Sequence, residues 1–299
     1  MAAMPVALRV ERWLEDLGAL GAVVEGPGLV RWALPTPTLP PATTTNHWLV
    51  GQRQCVLVDP ATPQRQGREL LAAAIAQSRE AGRPVVALLL THHHRDHIGA
   101  AAWLAEACAL PVWAHAETRE RVAPAIAVDR TVSDGEAVAW QDDASPWLAL
   151  HTPGHAPGHL ALLHAASGQV VAGDLVAGEG TILIDPRDGH MGQYLDSLQR
   201  LAELGARRLA PAHGRVLDDA PAVLAHYRQH RLQREEKVAT ALDGTWREVH
   251  DLLPHAYGDV SRVAWPLAVR SMMAHLVHLE ELGRARLRRE GERMWATRV

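Results

Sequence analysis

An unbroken apolar run, VVALLL at Val85–Leu90, leads directly into Thr91-His-His-His-Arg-Asp-His97. Six consecutive aliphatic side chains suit a strand covered on both faces, and therefore the middle of a sheet with layers on either side. Imidazoles and a carboxylate then crowd the point where such a strand surfaces, and strand-end loops are where scaffolds carry function. His92, His94, Asp96 and His97 form H-x-H-x-D-H. In an extended segment residues 92 and 94 project to one side, while Asp96 and His97, at the start of the following helix, reach a second point. Imidazole nitrogen and carboxylate oxygen suit zinc and related borderline cations. One short loop can thus feed two adjacent metal positions.

The surrounding pattern supplies a scaffold. Strand-like segments start at Leu29 with LVRWAL, followed by NHWLVG and QCVLVD. Gly67 to Ala81 has the spacing of a helix, Ile98 to Ala107 reads as another, and a strand is expected near Val112. From about 130 to 175 the chain is β-rich, then comes a helix from Met191 to Leu204 and a last strand in RRLAPA. This order predicts an α/β sandwich, two sheets face to face with helices outside. Three more candidate ligands fall at strand ends: His155 in TPGH, Asp174 closing QVVAGD, and His213 in PAHG. The first 30 residues have no clear place in the pattern.

After His213 the character changes, and we place a domain boundary near 231, giving domains of residues 1–230 and 231–299. Ala220 to Leu242 reads as a long polar helix. Thr245-Trp-Arg-Glu248 has the form of a capping box before a short helix ending at Leu253-Pro254. Trp265 to Leu282 is a third helix, stopped by Gly283, and Arg284–Arg289 with Arg293–Thr297 is a hairpin. Three helices and a hairpin is the order of a winged-helix unit.

Composition removes several classes. The net charge of −4 over 299 residues argues against a polyanion binder as a whole, although the tail is mildly basic. Cys55 and Cys108 sit in apolar stretches and read as small buried hydrophobes, so a disulfide framework is excluded. With no Phe and ten Trp, indoles must supply much of the aromatic core. No basic-then-apolar leader opens the sequence and no apolar run is long enough to span a bilayer, so the expectation is a cytoplasmic protein without membrane contact.

Taken together, H-x-H-x-D-H, TPGH, a Gly-Asp after a strand and a final HG resemble the ligand series of the metallo-β-lactamase superfamily, over roughly residues 28–218. The form T-H-x-H-R-D-H and a tail with YG, AHL and LE-x-LGRA resemble its lactamase-B2-like subfamily, which carries a C-terminal winged helix. The resemblance implies a four-layer αββα sandwich and two divalent metal ions, zinc by preference. It assigns His92, His94 and His155 to one ion and Asp96, His97 and His213 to the other, with Asp174 bridging them. A bridging hydroxide is the implied nucleophile, with Asp96 and Asp174 in catalytic roles. Asp59, ending QCVLVD, resembles the carboxylate that steadies a ligand histidine from behind. His159, His190 and Tyr194 are candidate substrate contacts, with His115 a further one, and His93 is read as structural. Two departures are visible: PAHG in place of the commoner PGHG, and His190 where relatives more often have an acidic residue.

Three readings of the substrate stay open. Ribonuclease activity on single-stranded RNA is implied by a mitochondrial member of the subfamily and suits the arginines at 284, 286, 288 and 289. Against a larger nuclease, the spacing from Asp174 to His213 is only 39 residues (213 − 174), too short for the insert carried by the superfamily's mRNA- and DNA-processing enzymes. Hydrolysis of a thioester or other small acyl compound, as in glyoxalase II-like relatives, uses the same ligands. A non-enzymatic winged-helix regulator is the third, and the full set of seven ligands argues against it. The expected cytoplasmic setting also speaks against antibiotic degradation.

Overall fold

The computed structural model describes residues 6–140, 142, 145–291 and 293–299, which divide into two compact units. The first comprises residues 1–151, 158–180 and 205–220, and the second 152–157, 181–204 and 221–299.

The first unit contains two sheets. Seven strands lie side by side in chain order: β1 (Val23–Gly26), β2 (Leu29–Pro35), β3 (Thr44–Val50), β4 (Cys55–Val58), β5 (Val85–Leu90), β6 (Val112–Ala114) and β7 (Arg130–Thr131). Neighbours from β1 to β4 are antiparallel, and those from β4 to β7 are parallel. The second sheet runs in the order β12-β11-β10-β9-β8, from β8 (Ala137–Trp140), β9 (Pro146–His151), β10 (Leu160–His164), β11 (Gln169–Gly173) and β12 (Arg208–Pro211). Its one parallel pair joins β11 to β12.

Strand alternation explains how β5 can be apolar throughout. Ala87 and Leu89 join Val56, Val58, Trp147, Ala149, Leu160 and Leu162 in the core between the sheets. Leu88 and Leu90 turn the other way, with Cys55 and Leu57, onto Trp13, Leu17, Leu71, Ile75 and Leu104. Those last residues come from helices α1 (Val6–Ala19), α2 (Arg65–Glu80) and α4 (Ala101–Cys108), while α3 (Arg95–Ile98) and α5 (Ala116–Val122) occupy strand-end turns. Two expectations are adjusted here. The stretch with no clear place forms α1 and the β1–β2 hairpin, and the helix expected from Ile98 is two short ones, α3 and α4, separated by Gly99-Ala100. A side chain at Gly99 would stand 2.3 Å from the Ala61 carbonyl, so the backbones touch at this break.

In the second unit, α6 (Met191–Glu203) and α7 (Ala220–Thr240) precede α8 (Val249–Ala256), α9 (Trp265–Glu281) and a small sheet in the order β13-β15-β14, made of β13 (Arg247–Glu248), β14 (Ala285–Glu290) and β15 (Arg293–Arg298). Val238, Leu252, Leu253, Met272, Leu276, Leu279 and Ala296 close a separate core, so the tail is a winged-helix-like unit with its own interior. The expected capping box does not form. Asp243 takes the Thr245 N–H and hydroxyl, residues 247–248 pair as a strand, and Glu248 precedes α8 without a side-chain cap. Nor does Pro254 end that helix, which continues to Ala256. One missing N–H is tolerated because Leu252, Leu253 and Ala256 are all buried. Among the described residues, no helix is long and apolar enough to cross a membrane.

Candidate metal centre

In the first unit the candidate residues gather at the ends of strands from both sheets. β4 closes at Asp59, which is fully buried and has a positive φ of 48°. Its Oδ1 accepts the Thr91 N–H at 2.7 Å, and its Oδ2 accepts the Thr91 hydroxyl at 2.7 Å. The same Oδ2 lies 2.8 Å from His97 Nδ1. Thr91 Oγ1, its proton given to Asp59, is 3.0 Å from His92 Nδ1 and accepts from it. One carboxylate therefore places the protons of two imidazoles on Nδ1, His97 directly and His92 through Thr91, which turns both Nε2 lone pairs inward.

His92 and His97 are wholly buried, with ring centroids 4.0 Å apart. His94 precedes α3, with Nδ1 2.9 Å from His92 Nε2. The single turn of α3 puts Asp96 and His97 on adjacent positions, and the Thr45 hydroxyl holds its backbone through the Asp96 carbonyl at 2.8 Å. From the second sheet, β11 runs through Gly173 into Asp174. His97 Nε2 is 3.5 Å from Asp174 Oδ2, and His213 Nε2 is 3.4 Å from Asp174 Oδ1 and 3.7 Å from Asp96 Oδ2. These separations exceed ordinary hydrogen bonds. They are close to the roughly 3.3–3.6 Å edges expected between ligands on a tetrahedral ion with bonds of about 2.0–2.2 Å.

Two overlapping groups able to hold an ion result, His92–His97–Asp174 and Asp96–His97–His213, sharing His97. The site fits a dinuclear centre for divalent cations. All but Asp96, which is partly buried, are buried, and the carboxylates attract positive charge. Burial by itself would lower the His97 pKa, but Asp174 and Asp59 outweigh it and raise the value well above normal. His213 has its own tautomer lock, since Nδ1 donates to the Thr44 carbonyl at 3.0 Å. The turn that carries it is tied down by Asn46, whose Nδ2 donates to the Pro211 and Gly214 carbonyls at 2.9 and 2.8 Å.

The remaining candidates are placed as follows. His159 is fully buried, and its Nε2 accepts the Asp174 N–H at 3.0 Å. His155 belongs to the second unit, where its Nδ1 donates to the Leu183 carbonyl at 2.9 Å. Tyr194, in the same unit, is wholly buried within α6. His190 caps α6, accepting the Gln193 N–H, and lies 2.9 Å from Glu281. Thr91, Thr44, Thr45 and Asn46 act behind the centre and were not singled out in the sequence. Thr91 stands directly before His92 within the motif, whereas Thr44, Thr45 and Asn46 lie in an ordinary strand segment that only the pairing of β3 with its surroundings brings to the ligands.

An αβ-sandwich with overlapping His/Asp clusters at the strand ends is the architecture of a metal-dependent hydrolase. Comparison with known proteins names the family. Residues 40–213 match the metallo-beta-lactamase superfamily model, and residues 249–295 match the beta-lactamase associated winged helix domain. The chain belongs to the metallo-β-lactamase superfamily, as a metallo-β-lactamase-fold hydrolase with a C-terminal winged helix. It is 33% identical over 200 residues to an atrochrysone carboxyl ACP thioesterase of Aspergillus chevalieri, a match covering 66% of this chain and 60% of the relative. The chain thus spans less than two thirds of that thioesterase. It is 26% identical over 215 residues to the beta-lactamase-like protein 2 homolog of Drosophila melanogaster, covering 69% and 72% of the two chains. Among solved structures, a metallo-beta-lactamase family protein from Thermus thermophilus superposes with a TM-score of 0.72 at 26% identity, over 92% of this chain and all of that one.

Proposed function

We propose that the chain hydrolyses acyl thioesters at a two-metal centre. The observation that supports this reading is the 33% identity, over 200 residues, to a protein named as an ACP thioesterase. In this assignment His92, His94 and His155 would hold one ion and Asp96, His97 and His213 the other, with Asp174 available to both. The nitrogen and oxygen donors favour zinc. When bound, such ions supply Lewis-acid polarisation of the acyl carbonyl and activation of water near neutral pH.

The chain's own residues do the rest. Asp96 orients the attacking water with the carboxylate oxygen not turned to an ion. Asp59 and Thr91 keep His97 and His92 in the tautomers that point Nε2 inward. His159 fixes the backbone of Asp174 and so the direction of its carboxylate. His190, half-exposed at the start of α6, is the candidate substrate contact, whereas His159 is buried and acts through Asp174, and Tyr194 is wholly buried. A thiol leaving group, with an ordinary pKa near 8.5, departs as thiolate without a dedicated acid.

Single-stranded RNA is the second reading, supported by the wing arginines. Two of the four face carboxylates, Arg284 with Glu236 at 2.7 Å and Arg288 with Glu290 at 3.1 Å, which reduces the positive field available to a phosphate backbone. The test is a parallel assay of purified, metal-analysed protein on an acyl-thioester panel, single-stranded RNA and a generic phosphodiester. Thioester hydrolysis that disappears in His94→Ala is the expected result. RNA cleavage at low salt with no thioester turnover would reverse the order of the two readings.

A further inference from the structure

A second cluster of metal-ligand side chains lies in the first unit, apart from the His92–His213 set. His115 follows β6 and caps α5, Glu117 stands in the first turn of that helix, and His151 is the last residue of β9. A ligand atom from each lies within 4.8 Å of the others, and all three side chains are half-buried. His115 Nδ1 and His151 Nε2 are both 3.7 Å from one oxygen, Glu117 Oε2. At that distance neither imidazole is hydrogen-bonded to the carboxylate. The spacing is close to the roughly 3.3–3.6 Å ligand–ligand edge of a tetrahedral zinc site.

We propose that His115, Glu117 and His151 form a further divalent-cation site that takes zinc or a similar borderline cation. Two imidazoles and one carboxylate are a known three-ligand donor set for zinc, with the fourth position left to water. The three positions are set by backbone. Asp134 Oδ1 accepts the His151 N–H at 2.8 Å, and Thr118, beside Glu117, donates its hydroxyl to the Gly158 carbonyl at 3.0 Å. The rings of His115 and His151 stack with centroids 4.1 Å apart and 10° between planes, and their nitrogens address the same carboxylate oxygen. Closing on an ion requires one ring to tilt out of the stack and the edges to shorten by a few tenths of an ångström. It also replaces the long 3.3 Å contact in which His115 Nδ1 accepts the Glu117 N–H.

Occupancy would have a local consequence. The same turn of α5 is bonded to Gly158, and His159, the next residue, accepts the Asp174 N–H. A cation at this second cluster therefore stiffens the segment that holds Asp174.

Anomalous scattering at the zinc edge, on crystals of the full chain grown with zinc, tests the site. Equilibrium dialysis against zinc gives the stoichiometry. The wild type is expected to show a peak between His115, Glu117 and His151 besides those at the His92–His213 set. Glu117→Gln, which alters a partly exposed side chain, should lose that peak and one equivalent of zinc, with the other peaks kept. His151→Gln should do the same and weaken the third equivalent at least tenfold. Zinc at the His92–His213 set alone at saturation, or equal zinc content in wild type and Glu117→Gln, would overturn the proposal. Failure of the dinuclear assignment reads out separately, as missing peaks at His92, His97 and Asp174.

Discussion

Asp59 Oδ2 stands 2.8 Å from His97 Nδ1, so the carboxylate ending one strand sets the ring of a histidine 38 residues further along. Because Oδ1 and Oδ2 also take the Thr91 N–H and hydroxyl, the carboxylate has no freedom to rotate away. Carboxylates behind metal-bound histidines typically contribute about 10–100-fold to metal affinity. Asp59→Asn is expected to weaken binding at the His97 ion by that factor while the chain stays folded, as measured by competition with a chromophoric chelator. An unchanged dissociation constant would mean that His97 is oriented by its packing alone.

Asp174 lies within 3.5 Å of His97 Nε2 and 3.4 Å of His213 Nε2, through different oxygens. Asp174→Ala should therefore disturb both ions together, and elemental analysis of the purified variant should find more than one equivalent less than in the wild type. Retention of both ions would remove Asp174 from the bridging role.

Gly173 has φ 51°, and a Cβ added there would stand 2.5 Å from His159 Nε2. Backbone strain of this kind costs about 1–3 kcal/mol for a residue with a side chain, and here the imidazole must also move off the Asp174 N–H. Gly173→Ala is expected to lower Tm and to raise the dissociation constant for metal. His159→Gln, which keeps an acceptor, should recover more of the metal affinity than His159→Leu. Equal affinities in these two variants would separate His159 from the placement of Asp174.

In the second unit, buried Glu235 lies 2.7 Å from His278 Nδ1 and 3.4 Å from His275 Nδ1. Burial alone would raise the Glu235 pKa, but hydrogen bonds from the two histidines outweigh it and hold the carboxyl below its ordinary 4.5. Burial also holds His275 below its ordinary 6.5. In both cases the unfolded chain binds protons more readily, so acid opposes folding. Stability from these groups is fully present above about pH 6.5. The His275 part is lost first as pH falls, and the Glu235 part goes below 4.5, through its folded value. The transition of this unit in calorimetry should shift down between about pH 7 and pH 4, with a further decline below that which Glu235→Gln flattens. A transition independent of pH over this range would contradict the assignment.

Much of this was legible because a few residues carry it. Val85–Leu90 announced a strand covered on both faces, and H-x-H-x-D-H directly after it marked residues that the fold gathers with Asp174 and His213. Asp59 was readable only through the resemblance, as a carboxylate behind some ligand histidine, and which one it meets, His97, came from the structure. The misreadings had local causes. Thr245 is a plausible cap by sequence, but Asp243 two residues earlier takes its N–H and hydroxyl. Pro254 normally ends a helix, yet flanking apolar residues bury the turn that it weakens. His159 could not be distinguished from a substrate contact, because its partner is a backbone N–H fifteen residues away, invisible to side-chain spacing.

The ligands of the first unit come from two directions. His92, Asp96 and His97 hang from the end of β5 in one sheet, while Asp174 and His213 follow β11 and β12 in the other. An ion shared by the two groups would be a rivet through the sandwich, tying together strand ends that lie far apart along the chain. Binding energy at that point is withheld from any opened form in which the sheets have parted. Metal content should thus set how readily the sandwich breathes, and a chain stripped of its ions is expected to exchange the amide protons of β5 and β11, inner strands of their sheets, faster than the metal-loaded chain does.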